Sequence, residues 1–84
     1  MAHSIVIAPA AKRQLANLPE GIRSKASVII DGLAVNPRPS GVKKLKGMDA
    51  WRIRVGDYRI IYEINDGIAC VLVIMVAHRG KVYK

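Results

Sequence analysis

The sequence predicts an α+β fold in which a helix pair packs on one face of a small, mainly antiparallel sheet of four strands. Three observations support this prediction. A short segment rich in β-branched residues lies at the start of the chain. Apolar residues then repeat at the spacing of a helix, and in the hairpin region of the second half apolar and polar residues alternate at the spacing of a strand. A chain of 84 residues has room for one hydrophobic core, so we expect a single domain over residues 1–84.

The first half of the chain predicts an N-terminal β-strand followed by a helical hairpin. Residues 3–7 are mostly apolar and read as the strand. Pro9 suits the first turn of a helix because its missing N–H would have no partner there, and apolar residues recur at helical spacing as far as Leu18. Pro19 opens a second helix, which ends before Pro37 because the residue preceding a proline avoids the α region. The short connector predicts that the two helices are antiparallel.

The second half predicts a β-hairpin with one apolar face and one basic face. Residues 51–55 and 58–64 alternate in polarity, and Gly56-Asp57 between them suits a two-residue turn. Such a turn places Arg54 directly opposite Arg59. The apolar set is expected to lie under the helices. The opposite set, which we call the arginine face, consists of Arg52, Arg54, Arg59, Ile61 and Glu63.

The apolar run 68–77 has no alternation and predicts a central strand that is buried on both sides. If Asp66-Gly67 is also a two-residue turn, alternate residues of this strand share the arginine face: Cys70, Leu72, Ile74, Val76 and His78. The sequence contains a single cysteine, which excludes a disulfide framework and fits a reducing cytosol.

The charge balance favours a polyanionic partner. Lys and Arg number 14 against 6 acidic residues, which gives a net charge of +8. The longest apolar run is about half the length of a membrane-spanning helix, and no secretory signal precedes it. We therefore expect a cytoplasmic protein with no membrane partner.

The arginine face looks costly for stability, because like charges directly opposite each other destabilise a sheet. One interpretation is that the long side chains splay into solvent while their stems cover Ile61. The other is a phosphate-binding surface, since the planar guanidinium binds phosphate through two donors and keeps its charge. We favour the second interpretation, with His78 beside this face if the predicted register holds.

Several segments together resemble the RelE branch of the RelE/ParE toxin superfamily. In chain order they are Lys44-Leu45-Lys46-Gly47, residues 51–62, Val76-Ala77-His78-Arg79 and Val82-Tyr83. The resemblance covers nearly the whole chain, including the helix pair between the first and second strands. Each segment is weak evidence alone, and the ordered set makes the resemblance specific.

The resemblance implies the toxin of a type II toxin–antitoxin pair, an endoribonuclease that cuts messenger RNA in the ribosomal A site. In that reaction the ribose 2′-OH attacks the adjacent phosphate, and no cofactor or metal is expected. The implied partners are the ribosome, mRNA and a cognate antitoxin, RelB-like or similar and encoded adjacently. The alternatives are a ParE-like inhibitor of DNA gyrase and a non-catalytic RNA- or ribosome-binding module. Tyr83 and the arginine face favour the nuclease.

The candidate residues follow from the arginine face and the resemblance together. The catalytic candidates are Arg52, Arg54, Arg59, His78, Arg79 and Tyr83, and the candidates for binding RNA or the ribosome are Lys43, Lys44, Lys46 and Lys81. Many RelE-like toxins carry lysines on the first strand of this hairpin, one of which can serve as general base. Arginine keeps its proton at neutral pH and is therefore a poor base. The proton acceptor is then Tyr83, His78 or the ribosome.

Overall fold

The computed structural model describes residues 2–78, which form two helices and one five-stranded sheet. The elements in chain order are β1 (Ser4–Ile7), α1 (Pro9–Ala16), α2 (Glu20–Leu33), β2 (Lys43–Lys44), β3 (Trp51–Val55), β4 (Tyr58–Asn65) and β5 (Cys70–His78). The strand order is β1-β5-β4-β3-β2, with β1 parallel to β5 and the other pairs antiparallel. The α+β prediction is confirmed, with one strand more than expected. Neither helix among these residues has the length and apolar content needed to cross a membrane.

The hydrophobic core fills the space between the helices and one face of the sheet. The helices contribute Ala11, Leu18, Ala26, Ile30 and Leu33, and the sheet contributes Val55, Ile60, Tyr62, Val71, Val73 and Val76. The predicted hairpin register is confirmed, with Arg54 opposite Arg59 and Val55 opposite Tyr58. The arginine face is therefore the sheet surface that points away from this core.

The additional strand, β2, lies at the edge of the sheet beside β3. It contains only Lys43 and Lys44, both exposed, so it has no apolar alternation by which the sequence could reveal it. Lys43 pairs with Arg52 and Lys44 pairs with Trp51. Because paired residues share a face, Lys43 joins the arginine face.

The loop between β4 and β5 is longer than predicted. A two-residue turn at Asp66-Gly67 was expected, but four residues, 66–69, precede the first residue of β5. Two extra residues leave the faces of the strand unchanged, because side chains alternate with a period of two. Cys70 and Leu72 therefore lie on the arginine face, as predicted.

A β-bulge divides β5 into two parts. Tyr62 pairs with Val73 and Ile61 pairs with Met75, so Ile74 is an extra residue without a partner on β4. An unbroken apolar run contains no signal for such a bulge, because both faces carry the same kind of residue.

The bulge reverses the faces of the second part of β5. Val76 and His78 were predicted on the arginine face, but Val76 lies in the core and His78 pairs with Tyr58 on the same side. The Tyr58 and His78 rings meet edge to face, with centroids 5.5 Å apart. Ala77 occupies the arginine face instead, directly opposite Arg59.

Tyr62 connects the core of the sheet to the loop that follows α2. Its side chain is 0% exposed, and its hydroxyl donates a hydrogen bond of 2.7 Å to the carbonyl oxygen of Pro37. Burial raises the pKa of the Tyr62 phenol to about 12, from an ordinary value of 10.0.

We expect Tyr62→Phe to lower the free energy of unfolding by about 1–2 kcal/mol, because the Pro37 carbonyl would lose its buried donor. Tyr62 should also make stability fall as pH rises from 10.0 towards 12, since the unfolded phenol ionises first. Urea unfolding of the wild type and of Tyr62→Phe at neutral and alkaline pH measures both effects. The lysines titrate equally in the two proteins, so the difference between them reports on Tyr62. An identical alkaline loss in Tyr62→Phe would contradict the assignment.

Candidate functional site

Four cations meet on the arginine face in two cross-strand pairs. Lys43 lies opposite Arg52, and Arg54 lies opposite Arg59. Side chains in such pairs have Cβ atoms about 4.5–5.5 Å apart. The backbone ladder therefore concentrates positive potential on this surface, at a cost in stability.

Arg59 differs from the other cations because it is buried, with only 6% of its surface exposed. Its Nη1 donates to the carbonyl oxygen of Tyr58 at 3.2 Å, whereas its Nε has no hydrogen-bond partner among residues 2–78. A buried N–H without an acceptor costs about 1–3 kcal/mol. This guanidinium is thus placed to bind an anionic oxygen without first breaking an ion pair to any of the described residues.

An exposed apolar surface adjoins the cations on β5 and β1. Leu72 is half-buried, Met75 is 39% exposed, and Val6 on the edge strand β1 is 48% exposed. The prediction that β5 is buried on both sides was therefore wrong for the side away from the helices. Ile61 does not belong to this exposed surface, because it is only 2% exposed, between Arg52 and Met75 on the neighbouring strands.

The structure brings together only some of the residues predicted from the sequence. Arg52, Arg54 and Arg59 lie on one face, and Lys43 joins them. His78 lies on the opposite face, so its predicted position was wrong. Lys44 faces the helix side beside Trp51, and Lys46 is exposed before β3. Arg79, Lys81 and Tyr83 lie outside the described residues.

Two residues that contact the site's framework were missed by the sequence analysis. Ala77 stands directly opposite Arg59. Gln14 on α1 accepts a hydrogen bond of 2.7 Å from the backbone N–H of Val76 through its Oε1. Gln14 has a recognisable signal, since a polar residue three positions after Ala11 and four before Leu18 occupies the apolar stripe of the helix.

A second charged cluster lies at the other end of the sheet. Arg38 binds Asp66 through two hydrogen bonds of 2.9 and 3.4 Å, and the Nε2 of His3 lies 3.2 Å from the same carboxylate. The hydrogen bonds from Arg38, and then the one from His3, hold the pKa of Asp66 below its ordinary value. The Arg38 guanidinium also stacks 5.3 Å from the Trp51 ring centroid. Because this carboxylate already accepts hydrogen bonds from Arg38 and contacts His3, we interpret the cluster as structural.

Known proteins match this chain in sequence and in fold. The family model of ParE toxins of type II toxin–antitoxin systems, parDE, matches residues 5–83. Toxin RelE of Mycobacterium tuberculosis is 34% identical over 86 residues, with 98% of this chain and 87% of the relative covered. The archaeal RelE–RelB complex from Pyrococcus horikoshii matches with a TM-score of 0.86 at 28% identity, covering 98% of this chain and 100% of that chain. Isolated RelE from E. coli gives a TM-score of 0.81 at 26% identity, covering 98% and 92%.

Proposed function

We propose that this chain, which belongs to the RelE/ParE superfamily of toxins from type II toxin–antitoxin systems, is an endoribonuclease that cleaves messenger RNA in the ribosomal A site. The observation that carries the proposal is the buried guanidinium of Arg59 beside Arg54 on an open basic face, with an Nε that has no partner in the described part of the chain. Its place of action is the cytoplasm, where translating ribosomes present their message.

The proposed reaction is a transfer within the RNA chain. The ribose 2′-OH attacks the adjacent phosphorus, the bond to the 5′-oxygen breaks, and the products carry a 2′,3′-cyclic phosphate and a 5′-OH. Negative charge accumulates on the non-bridging oxygens in the transition state. Arg59 and Arg54 would donate hydrogen bonds to those oxygens, while Arg52 and Lys43 would hold a flanking phosphate.

A proton must leave the 2′-OH, and the geometry reduces the number of acceptors. His78 lies on the face opposite the arginines. Glu63 lies on the arginine face but four residues along β4 from Arg59, a separation of about 13 Å. We therefore propose Tyr83 as the acceptor, on the strength of the resemblance of the chain's end to RelE-like toxins.

We also propose that an antitoxin covers this site. The P. horikoshii relative was solved as a RelE–RelB complex. A further structural match, with a TM-score of 0.82 at 26% identity, is a chain of the RelBE2 toxin–antitoxin complex of M. tuberculosis. The face here combines four cations with the neighbouring apolar side chains Val6, Leu72 and Met75. An acidic amphipathic segment would match both halves of that surface.

We expect the antitoxin encoded beside this toxin to bind less tightly as salt is added, because part of the contact is between exposed charges. Titration calorimetry at increasing ionic strength measures this. Met75→Ser should weaken binding at every salt concentration without changing the salt dependence, since it alters only the apolar half. An affinity indifferent to salt would contradict the proposed role of the arginines.

Primer extension on translating ribosomes tests the nuclease activity. Expression of the toxin should produce cuts in the codon occupying the A site. The ParE description of the matching family model makes a gyrase inhibitor the second candidate. Trapped gyrase–DNA complexes with intact message would favour that candidate, and stalled ribosomes with intact message would favour a non-catalytic ribosome-binding module.

A further inference from the structure

A hydrogen bond from α1 holds the second part of β5. Strand β1 ends at Ile7, opposite Val73, so within residues 2–78 the edge of β5 beyond Val73 has no paired strand on that side. There the Oε1 of Gln14 accepts the backbone N–H of Val76 at 2.7 Å, in a partly buried position. A side chain of α1 thus provides an acceptor that a neighbouring strand would otherwise supply.

The residue that it holds lies just beyond the bulge at Ile74. In the observed register, Ala77 lies opposite Arg59 and Val76 lies opposite Ile60. If β5 continued from Val73 without the bulge, Val76 would stand beside Arg59 instead. A β-branched valine would crowd the buried guanidinium, whereas the single methyl group of Ala77 leaves room beside it.

We propose that Gln14 is a positioning residue of the arginine face, which keeps β5 in the bulged register that places Ala77 beside Arg59. A bulge disrupts the ladder and leaves one residue unpaired, so the bulged register needs a contact that the regular register would lack. The hydrogen bond to Val76 is such a contact. A slip of one residue would exchange the two faces beyond the bulge and turn Ala77 away from Arg59.

The activity part of the test rests on the proposed nuclease function. Gln14→Leu removes the hydrogen-bond acceptor and keeps a side chain of similar volume, whereas Gln14→Glu keeps an acceptor oxygen. Asn17→Leu is the matched control, because it removes an exposed amide about one helical turn further along. We expect Gln14→Leu to lower kcat for A-site cleavage at least about 10-fold, with KM within about 2-fold of wild type. Gln14→Glu and Asn17→Leu should stay within about 3-fold of wild type. Wild-type cleavage by Gln14→Leu, or equal losses in Gln14→Leu and Gln14→Glu, would overturn the proposal.

A second variant tests the register without touching the hydrogen bond. Ala77→Val keeps the bulge but puts a β-branched side chain beside Arg59, as the slipped register would. We expect its kcat to fall at least about 10-fold as well. A wild-type kcat in Ala77→Val would show that the residue opposite Arg59 is irrelevant, and the proposal would be wrong even if Gln14→Leu failed to fold.

Amide exchange measured by NMR on the free toxin separates this proposal from the proposed function. In Gln14→Leu the Val76 amide should exchange at least about 10-fold faster than in wild type, while the Ile60 amide keeps its protection. Unchanged exchange at Val76 would overturn the positioning role. If the wild type cuts no message but the exchange result is as expected, the nuclease proposal fails while the role of Gln14 in holding β5 stands.

Discussion

Replacing Arg59 with methionine should slow A-site cleavage by about 100- to 1,000-fold while the domain remains folded. Removal of one pre-placed donor from a site of developing negative charge typically has an effect of this size. Arg59 is buried and its Nε is unpartnered within residues 2–78, so it can bind a phosphate oxygen with little reorganisation. Methionine is unbranched and apolar, so it can fill the same space without burying a charge.

The free energy of unfolding of Arg59→Met provides an independent control for this prediction. The buried Arg59 guanidinium faces Arg54 across the strands and has only the Tyr58 carbonyl as a described acceptor. Its removal should therefore leave the free energy of unfolding unchanged or raise it by about 1 kcal/mol. A residue retained only for the fold would show the opposite result, a loss of stability with cleavage unaffected.

Two further variants separate the charge of Arg59 from its shape. Arg59→Lys keeps the charge but loses the planar pair of donors, so we expect a loss of cleavage smaller than that of Arg59→Met. Arg54→Met is the matched change on the exposed partner, which is screened by water, and should cost less than Arg59→Met. Single-turnover cleavage on programmed ribosomes, with urea unfolding of each variant, measures both effects. Equal losses in Arg54→Met and Arg59→Met would show that burial gives Arg59 no special role.

The register of the hairpin could be predicted from sequence because the information is local. Gly56-Asp57 fixes which residues face each other, and the alternation on either side fixes the faces. The helix boundaries were also close to prediction, since Pro9 and Pro19 mark the starts of α1 and α2. Each of these signals acts within a few residues of the structure it specifies.

The features that were missed depend on distant parts of the chain. β2 is a strand only because β3 lies beside it, and its two lysines carry no strand pattern of their own. The bulge at Ile74 is held from α1, far away in sequence, and it explains why His78 was placed on the wrong face. The burial of Arg59 likewise depends on tertiary neighbours, since the alternation shows which face it occupies but not how covered that face is.

The second large effect is expected at the proton acceptor, because His78 lies on the face opposite to the one predicted from the sequence. With His78 beside Tyr58 on the opposite face, Tyr83 is the remaining side chain that we propose for this role. The ordinary pKa of a phenol is about 10, and we propose that the phenolate form of this side chain accepts the proton. We expect Tyr83→Phe to reduce cleavage at least about 100-fold, because it removes the acceptor and keeps the ring.

Tyr83→Ala and His78→Ala complete the comparison. Tyr83→Ala removes the aromatic ring as well as the hydroxyl, so we expect it to abolish toxicity, whereas His78→Ala should cleave within about 3-fold of wild type. The pH dependence of cleavage tests the same assignment. A phenolate base makes the wild-type rate rise with pH up to the pKa of the phenol, and Tyr83→Phe should lose that rise. If His78→Ala loses activity and Tyr83→Phe keeps it, a histidine on the far side of the sheet must reach the RNA, and the bulged register of β5 could not persist on the ribosome.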